Sequence, residues 1–146
     1  MLGDTSDSVD GRRVVDRARL RAFTVPCDPT TVRRLRQQLE HDDVVAGLDP
    51  VVRTNLLLVV SELLTNAIAA CTGTRVHVVV ETASRWVRVE VRNEGAWISP
   101  PTPGTFRFPM ATAGRGRGLA IVSRLAEDVR IDVDGNTTVV SARLRT

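Results

Sequence analysis

The chain contains no lysine and no tyrosine, and aromatic residues of any kind make up only 3% of it. All 20 basic residues are therefore arginine, and the formal net charge is only +3. These arginines alternate with acids instead of forming a block. A nucleic-acid-binding surface combines a basic stripe with stacking aromatics, and neither is present. The arginines read as a solvated surface, and no direct nucleic-acid partner is expected. Cysteine is nearly absent too. Cys27 and Cys71 stand far apart, make no C-x-x-C pair, and are not joined by clustered histidines, since His41 and His77 are equally scattered. That argues against a zinc site and reads each cysteine as a small apolar residue in a reduced compartment. No apolar run reaches the ~20 residues that cross a bilayer, and the polar start MLGDTSDSVD does not resemble a signal peptide. A cytoplasmic protein without a membrane partner is expected.

What is there suffices for one core: 146 residues, 42% of them hydrophobic. Residues 1–19 are polar and lack apolar periodicity, so they read as a flexible leader to a single domain over 20–146. Leu20–Val25 reads as a strand stopped by Pro26. Asp28-Pro29-Thr30 then opens a helix with Val32, Leu35 and Leu39 inward and Arg33, Arg34 and Arg36 outward, fading near Gly47. Asp49-Pro50 repeats the start signal for a very hydrophobic helix from Val51 to about Cys71, with Gly73 as its stop. Valines alternate in Thr74–Thr82 and again in Arg85–Arg92, which predicts an antiparallel hairpin about Ala83-Ser84. Residues 95–113 hold Pro100, Pro101, Pro103 and Pro109, which exclude regular structure and predict a long functional loop. A glycine-rich turn over 114–118 leads into a helix of about Leu119–Glu127. A last hairpin pairs Val129–Val133 with Thr138–Leu144 about Gly135-Asn136. This order predicts an α/β fold: a two-layer α/β sandwich with helices on one face of a mixed, mostly antiparallel sheet.

Three constellations can carry chemistry. In the second helix, Glu62 and Asn66 are four residues apart and stack on one face of an otherwise apolar segment, with Asn55 one helical repeat earlier. An amide oxygen so placed can ligate Mg²⁺, and a carboxylate can deprotonate a hydroxyl nucleophile. By itself the pair also fits an exposed polar stripe. Asn93-Glu94-Gly95 closes a hairpin strand with a side-chain acceptor and a glycine that lets a planar ligand approach the backbone. It equally fits an ordinary polar turn. Gly114-Arg115-Gly116-Arg117-Gly118-Leu119 sits at a helix start, where free N–H groups and the helix dipole favour phosphate and flanking arginines add charge-assisted bonds. It is neither a P-loop nor a dinucleotide fingerprint, and a flexible hinge is the bland alternative.

The order and spacing of these three resemble a known family. Ser61-Glu62-Leu63-Leu64-Thr65-Asn66-Ala67 is similar to the N box of the gyrase, histidine-kinase and MutL superfamily. Asn93-Glu94-Gly95 falls where its first glycine box would lie, and Gly116-Arg117-Gly118-Leu119-Ala120 resembles its second. The resemblance covers about Leu20 to Leu144 and includes no dimerisation-phosphoacceptor helix or transducer domain. It therefore points to the stand-alone bacterial anti-sigma-factor serine/threonine kinases, with a Bergerat-type ATP-binding fold. It implies Glu62 as general base and Asn66 as magnesium ligand. Asn93 and Gly95 would line the adenine pocket; Gly114, Arg115, Gly116, Arg117, Gly118 and Leu119 would bind the phosphate side. The segment between the glycine boxes, roughly Ala96–Ala113, would be the ATP lid, mobile without nucleotide. The implied cofactors are ATP and Mg²⁺. The implied partners are a sigma factor and a STAS-type anti-anti-sigma protein that is phosphorylated on serine, with a homodimer as the common assembly.

The sequence departs from the family pattern at three places. Asn93 replaces the adenine-reading aspartate, Trp97 replaces a glycine, and Ala70-Cys71 stand where a histidine is common. These changes keep a second reading open: a non-catalytic module of the same fold that sequesters a sigma factor or other regulator. On charge alone, Asn93→Asp should tighten nucleotide binding, because a carboxylate accepts more strongly than an amide.

Overall fold

The computed structural model describes residues 17–95 and 114–146. The leader expected over 1–19 falls almost wholly outside these residues, and so does the lid expected over 96–113. Nine elements follow in order: β1 (Arg19–Pro26), α1 (Thr30–Glu40), α2 (Asp43–Ala46), α3 (Pro50–Ala70), β2 (Arg75–Thr82), β3 (Trp86–Glu94), α4 (Gly114–Leu125), β4 (Asp128–Asp134) and β5 (Thr137–Arg145). The strands form one five-stranded sheet in the order β1-β2-β3-β5-β4. Every pair is antiparallel, so among the described residues the sheet is not mixed as the sequence suggested.

Valine alternation builds the floor of the core. Val76, Val78 and Val80 of β2, Val87, Val89 and Val91 of β3, and Val140, Ala142 and Leu144 of β5 all face one side and are buried. The register places Val78 beside Val91, and Val91 beside Val140, so the rows run straight across the sheet. The other side carries charge: Glu81, Arg88, Arg143 and Asp128 form one cross-strand row. Arg88 bridges Glu81 and Glu90 at 3.2 and 3.0 Å, a half-exposed arrangement that favours solvent over a second layer.

Over the apolar floor lies α3, 21 residues long. It starts where expected: the Asp49 carboxylate accepts from the Val51 N–H at 2.9 Å, and Pro50 occupies the first turn. By length and composition α3 could cross a membrane, contrary to the impression from the sequence. Many of its apolar residues are instead covered by protein, although Val51 at its start is exposed. Leu56, Leu57, Val59, Val60, Leu63 and Leu64 are buried in one cluster with the valine rows and with Leu35 and Leu39 of α1. Fully burying each such side chain contributes about 1.5–3 kcal/mol. A helix apolar around most of its circumference is what a helix enclosed on several sides requires.

The local expectations for α1 hold with one shift. Leu35 and Leu39 are buried, but Thr31 takes the third inward place and Val32 is only partly covered. Thr31 tolerates burial because its hydroxyl donates to the Pro26 carbonyl at 3.1 Å. Asp28 accepts from both the backbone N–H and the hydroxyl of Thr30, which hold its carboxyl below the usual range. The helix ends at Glu40, and the stretch towards Gly47 is a separate short helix, α2, capped by Asp42. Arg21 of β1 ties that corner down by reaching Asp42 at 2.9 Å and Asp43 at 2.8 Å.

The cysteines are not isolated thiols. Cys27, just after β1, and Cys71, at the C-cap of α3, are joined in a disulfide across a sequence separation of 44, with Cα atoms 6.6 Å apart. Sequence spacing could not show this, because the two positions meet only when α3 packs beside the end of β1. Such a cross-link stabilises by about 2–4 kcal/mol, mainly by restricting the unfolded chain. The pairing removes unpaired thiols as a sign of a reduced compartment.

Candidate functional site

The site grows from one face of α3. Glu62, Asn66 and Ala70 succeed one another at intervals of four and run along the helix over about 12 Å, given 1.5 Å per residue. Glu62 is half-buried and Asn66 is 9% exposed. Ser61 and Thr65 flank them on the more exposed side of the helix, whereas Asn66 itself is turned into the protein.

The start of α4 lies over this face. A helix was expected only from Leu119, after a glycine turn. The helix in fact begins at Gly114, and the backbone of Gly114–Arg117 forms its first turn. Glycines in a helix cost up to about 1 kcal/mol each relative to alanine, so something else must favour them. At Gly118 the reason is contact: a side-chain carbon there would collide with the Glu62 carboxylate and approach Asn66 Nδ2 at 3.6 Å. The first helical turn leaves N–H groups without intrahelical partners, which suits anions. Leu119 contributes differently, since its side chain is buried in the core and anchors α4.

Asn66 also bears on whether a metal fits. Its side-chain Nδ2 is buried and has no hydrogen-bond partner among the described residues. A buried amide without a partner costs about 1–3 kcal/mol unless another group satisfies it. Rotating the amide presents its oxygen instead, a hard donor of the kind Mg²⁺ takes beside phosphate oxygens. The residues present therefore fit a magnesium–phosphate group. Among the described residues no cluster of three or more His, Cys, Asp or Glu could hold a metal, so Asn66 would act with phosphate and water oxygens.

At the other end of the α3 face lies a polar pocket wall. Asn93 is inside β3, not in a turn after it, paired with Val76 on one side and Thr138 on the other. It is 3% exposed. Its Nδ2 donates to the carbonyls of Glu94 and Gly95, each at 3.3 Å, which leaves Oδ1 as the acceptor. The reverse amide orientation would set Oδ1 against both carbonyls. Gly95 has φ +131°, and the space a side chain would need is filled by the Ala70 carbonyl. Only glycine suits that position. The Gly95 N–H donates to Asn136 O at 2.5 Å, and Thr138 Oγ1 donates to Gly95 O at 2.6 Å.

Two members of this wall were missed in the sequence. Thr138 is 1% exposed and sits in register with Asn93. It read as one more inward position of the last strand; its hydroxyl at the end of an apolar alternation was the available signal. Asn136 read only as a turn residue, and nothing local marks its carbonyl as the partner of Gly95. Asn55, near the Glu62 face by periodicity, is partly buried one repeat away and joins none of these bonds. A separate depression on the open sheet face, lined by Arg88, Asp128, Arg130, Ser141 and Arg143, lies away from both poles. Its arginines pair with Glu81, Glu90, Asp128 and Glu127.

The geometry gives Asn93→Asp a cost in fold stability that charge alone did not show. In Asn93→Asp a carboxylate oxygen would replace the amide that donates to two carbonyls, so the substitution removes two bonds and opposes lone pairs. We expect urea unfolding at pH 7 to show a loss of about 1–3 kcal/mol. The deficit should shrink on acidification, because a protonated carboxyl regains one donor. An unfolding midpoint at or above that of the parent at pH 7 would overturn this account.

Comparison with known proteins agrees with this architecture. Among solved structures, 16 chains match. The RsbU and RsbW domains of Rv1364c from Mycobacterium tuberculosis superpose with a TM-score of 0.65 at 20% identity, covering 87% of this chain and 32% of that one. The chain thus spans about a third of the length of that protein. The Acinetobacter baumannii histidine kinase AdeS gives a TM-score of 0.51 at 15% identity, over 87% of this chain and 68% of the other. At such identities the likeness speaks for the fold. No curated protein sequence matches the chain. The family described as Histidine kinase-like ATPase domain matches residues 25–144, from the end of β1 to the last strand and across both poles of the site. With its antiparallel sheet, its α3 face and its glycine-started α4, the chain belongs to the histidine kinase-like ATPase domain family.

Proposed function

We propose that the chain is an ATP-dependent anti-sigma factor that phosphorylates a serine of a STAS-type anti-anti-sigma partner and sequesters a sigma factor in the cytoplasm. One observation carries this reading: Gly118 of α4 lies against the Glu62 carboxylate and within van der Waals reach of Asn66 on α3, so that a side chain at 118 would displace Glu62. Two motifs more than fifty residues apart in sequence thereby share one small space. The likeness in fold to a chain whose name includes an RsbW domain supports the same choice.

Each residue has a part in the transfer. Asn93 Oδ1 accepts from the exocyclic amine of adenine, while Gly95 lets the ring lie against the backbone. The first turn of α4, with Arg115 and Arg117, would take the phosphate oxygens, and Asn66 would hold magnesium, which would supply charge neutralisation when bound. Glu62 accepts the proton of the serine hydroxyl as its oxygen bonds to the γ-phosphorus and ADP leaves. Positioning and electrostatics supply most of the catalysis in such a reaction. A second reading, sequestration without catalysis, is favoured by Asn93, which offers adenine a neutral acceptor instead of a charged one.

Thermal unfolding with millimolar Mg-ATP is the first measurement. A ligand at about 100 times its Kd should add about 2.7 kcal/mol, and an unchanged Tm would promote the non-catalytic reading. Glu62→Ala should keep nucleotide and sigma binding but lower phosphotransfer by about 10²–10⁴-fold. Asn66→Ala should weaken Mg-ATP binding as well. Gly118→Ala should leave the fold as stable or up to about 1 kcal/mol more stable, because alanine favours helix, yet lose phosphotransfer as Glu62 is displaced. Normal turnover in Glu62→Ala or in Gly118→Ala would refute the assigned base.

A further inference from the structure

We propose that Cys27 and Cys71 are a reversible thiol–disulfide switch that fixes the end of α3 against Gly95 and so sets the shape of the base-binding pole. The effect on nucleotide rests on the function proposed above; the effect on the backbone does not.

Residues 70–74 touch three parts of the fold. The Ala70 carbonyl occupies the space beside Gly95 Cα. The Thr72 N–H donates to Glu94 O at 2.8 Å, and Asn136 Nδ2 donates to Thr72 Oγ1 at 3.3 Å. On the far side, the Cys27 N–H donates to Thr74 O at 3.0 Å, and the disulfide joins Cys27 to Cys71. One short segment thus meets the end of β3, the turn after β4 and the end of β1 together. The helix has ended there: Cys71 is the C-cap and already has extended backbone. Among the described residues the disulfide is the only covalent tie on this segment; the other contacts are hydrogen bonds at the edge of the domain.

Both cysteines are partly buried, not enclosed, so a small thiol or disulfide can reach them. The step requires a low-molecular-weight thiol/disulfide couple. One cysteine thiolate attacks an external disulfide, forming a mixed disulfide and releasing one thiol. The second cysteine then displaces the other thiol and closes the protein disulfide. The protein gives up two electrons and two protons, and the external disulfide becomes two thiols. Reduction reverses each bond. Without the link, the Ala70–Thr74 backbone is held only by bonds that open locally, and Gly95, which has no room to spare, moves with it.

The experiment uses the full chain equilibrated in oxidised and reduced glutathione buffers. Thiol titration should count none and two free thiols reversibly. Hydrogen exchange of the Thr72 and Gly95 amides should quicken about tenfold or more on reduction, while β5 beyond Val140 stays protected. Mg-ATP should bind about tenfold more weakly to the reduced chain, a coupling within the usual range for linked sites. Cys27→Ser and Cys71→Ser should behave as the reduced form in either buffer. No reversible thiol count would overturn the proposal. So would unchanged exchange at Thr72 and Gly95, or a uniform rise across the sheet, which a merely stabilising cross-link produces. Equal Mg-ATP affinity in both states would overturn the link to the pocket. If neither state binds Mg-ATP, the proposed kinase function falls, and the exchange data alone decide the switch.

Discussion

Burial of α3 against the valine rows of β2, β3 and β5 is the interaction on which the rest of this molecule depends. It supplies most of the core, since Leu56, Val59, Val60, Leu63 and Leu64 share one buried cluster with the sheet residues. It also fixes the rotation of the helix about its own axis. With those residues facing inward, Glu62 and Asn66 face the start of α4, and the Ala70 carbonyl faces Gly95. A rotation that exposed Leu63 would carry Glu62 away from Gly118. Packing energy thereby becomes positional accuracy at the site.

The same constraint explains the two glycines that matter most. Gly118 and Gly95 lie at opposite ends of the α3 face, and at each the helix comes too close for a side chain. At Gly118 the neighbour is the flexible end of Glu62, which could shift. At Gly95 it is backbone, which cannot shift without moving the end of the helix. The phosphate side of the site is thus adjustable, whereas on the base side the Gly95 main chain is held by the Ala70 and Asn136 carbonyls and by the side chains of Asn93 and Thr138. A neutral Asn93 is consistent with that rigidity, because its amide nitrogen donates to the Glu94 and Gly95 carbonyls.

The disulfide adds a covalent contact where the fixed end of the site meets the edge of the domain. It joins segments adjoining β1 and α3, and α3 is the element that touches both poles. A change at Cys71 therefore lies one residue from the carbonyl that abuts Gly95. The phosphate pole is two helical turns distant, and the intact α3 hydrogen bonds separate it from any loosening at the C-cap.

Local pattern alone determined the elements and the motif positions. Asp49-Pro50 started α3, alternating valines made β2 and β3, Gly135-Asn136 turned the last hairpin, and the spacing of Glu62 and Asn66 put them on one helix face. Such features depend on periods and caps within a few residues, which a sequence displays directly. Tertiary structure decided what depends on proximity between distant segments. It joined Cys27 to Cys71, drew Thr138 and Asn136 into the wall beside Asn93, and turned the Asn93 amide so that an aspartate there would meet two carbonyls. It began α4 at Gly114, ahead of Leu119 and against glycine's low helix propensity, with Gly118 lying against the Glu62 carboxylate. It also placed one side of α3, a helix apolar enough for a membrane, in a protein core, because the sheet and the neighbouring helices cover Leu56, Val59, Val60, Leu63 and Leu64.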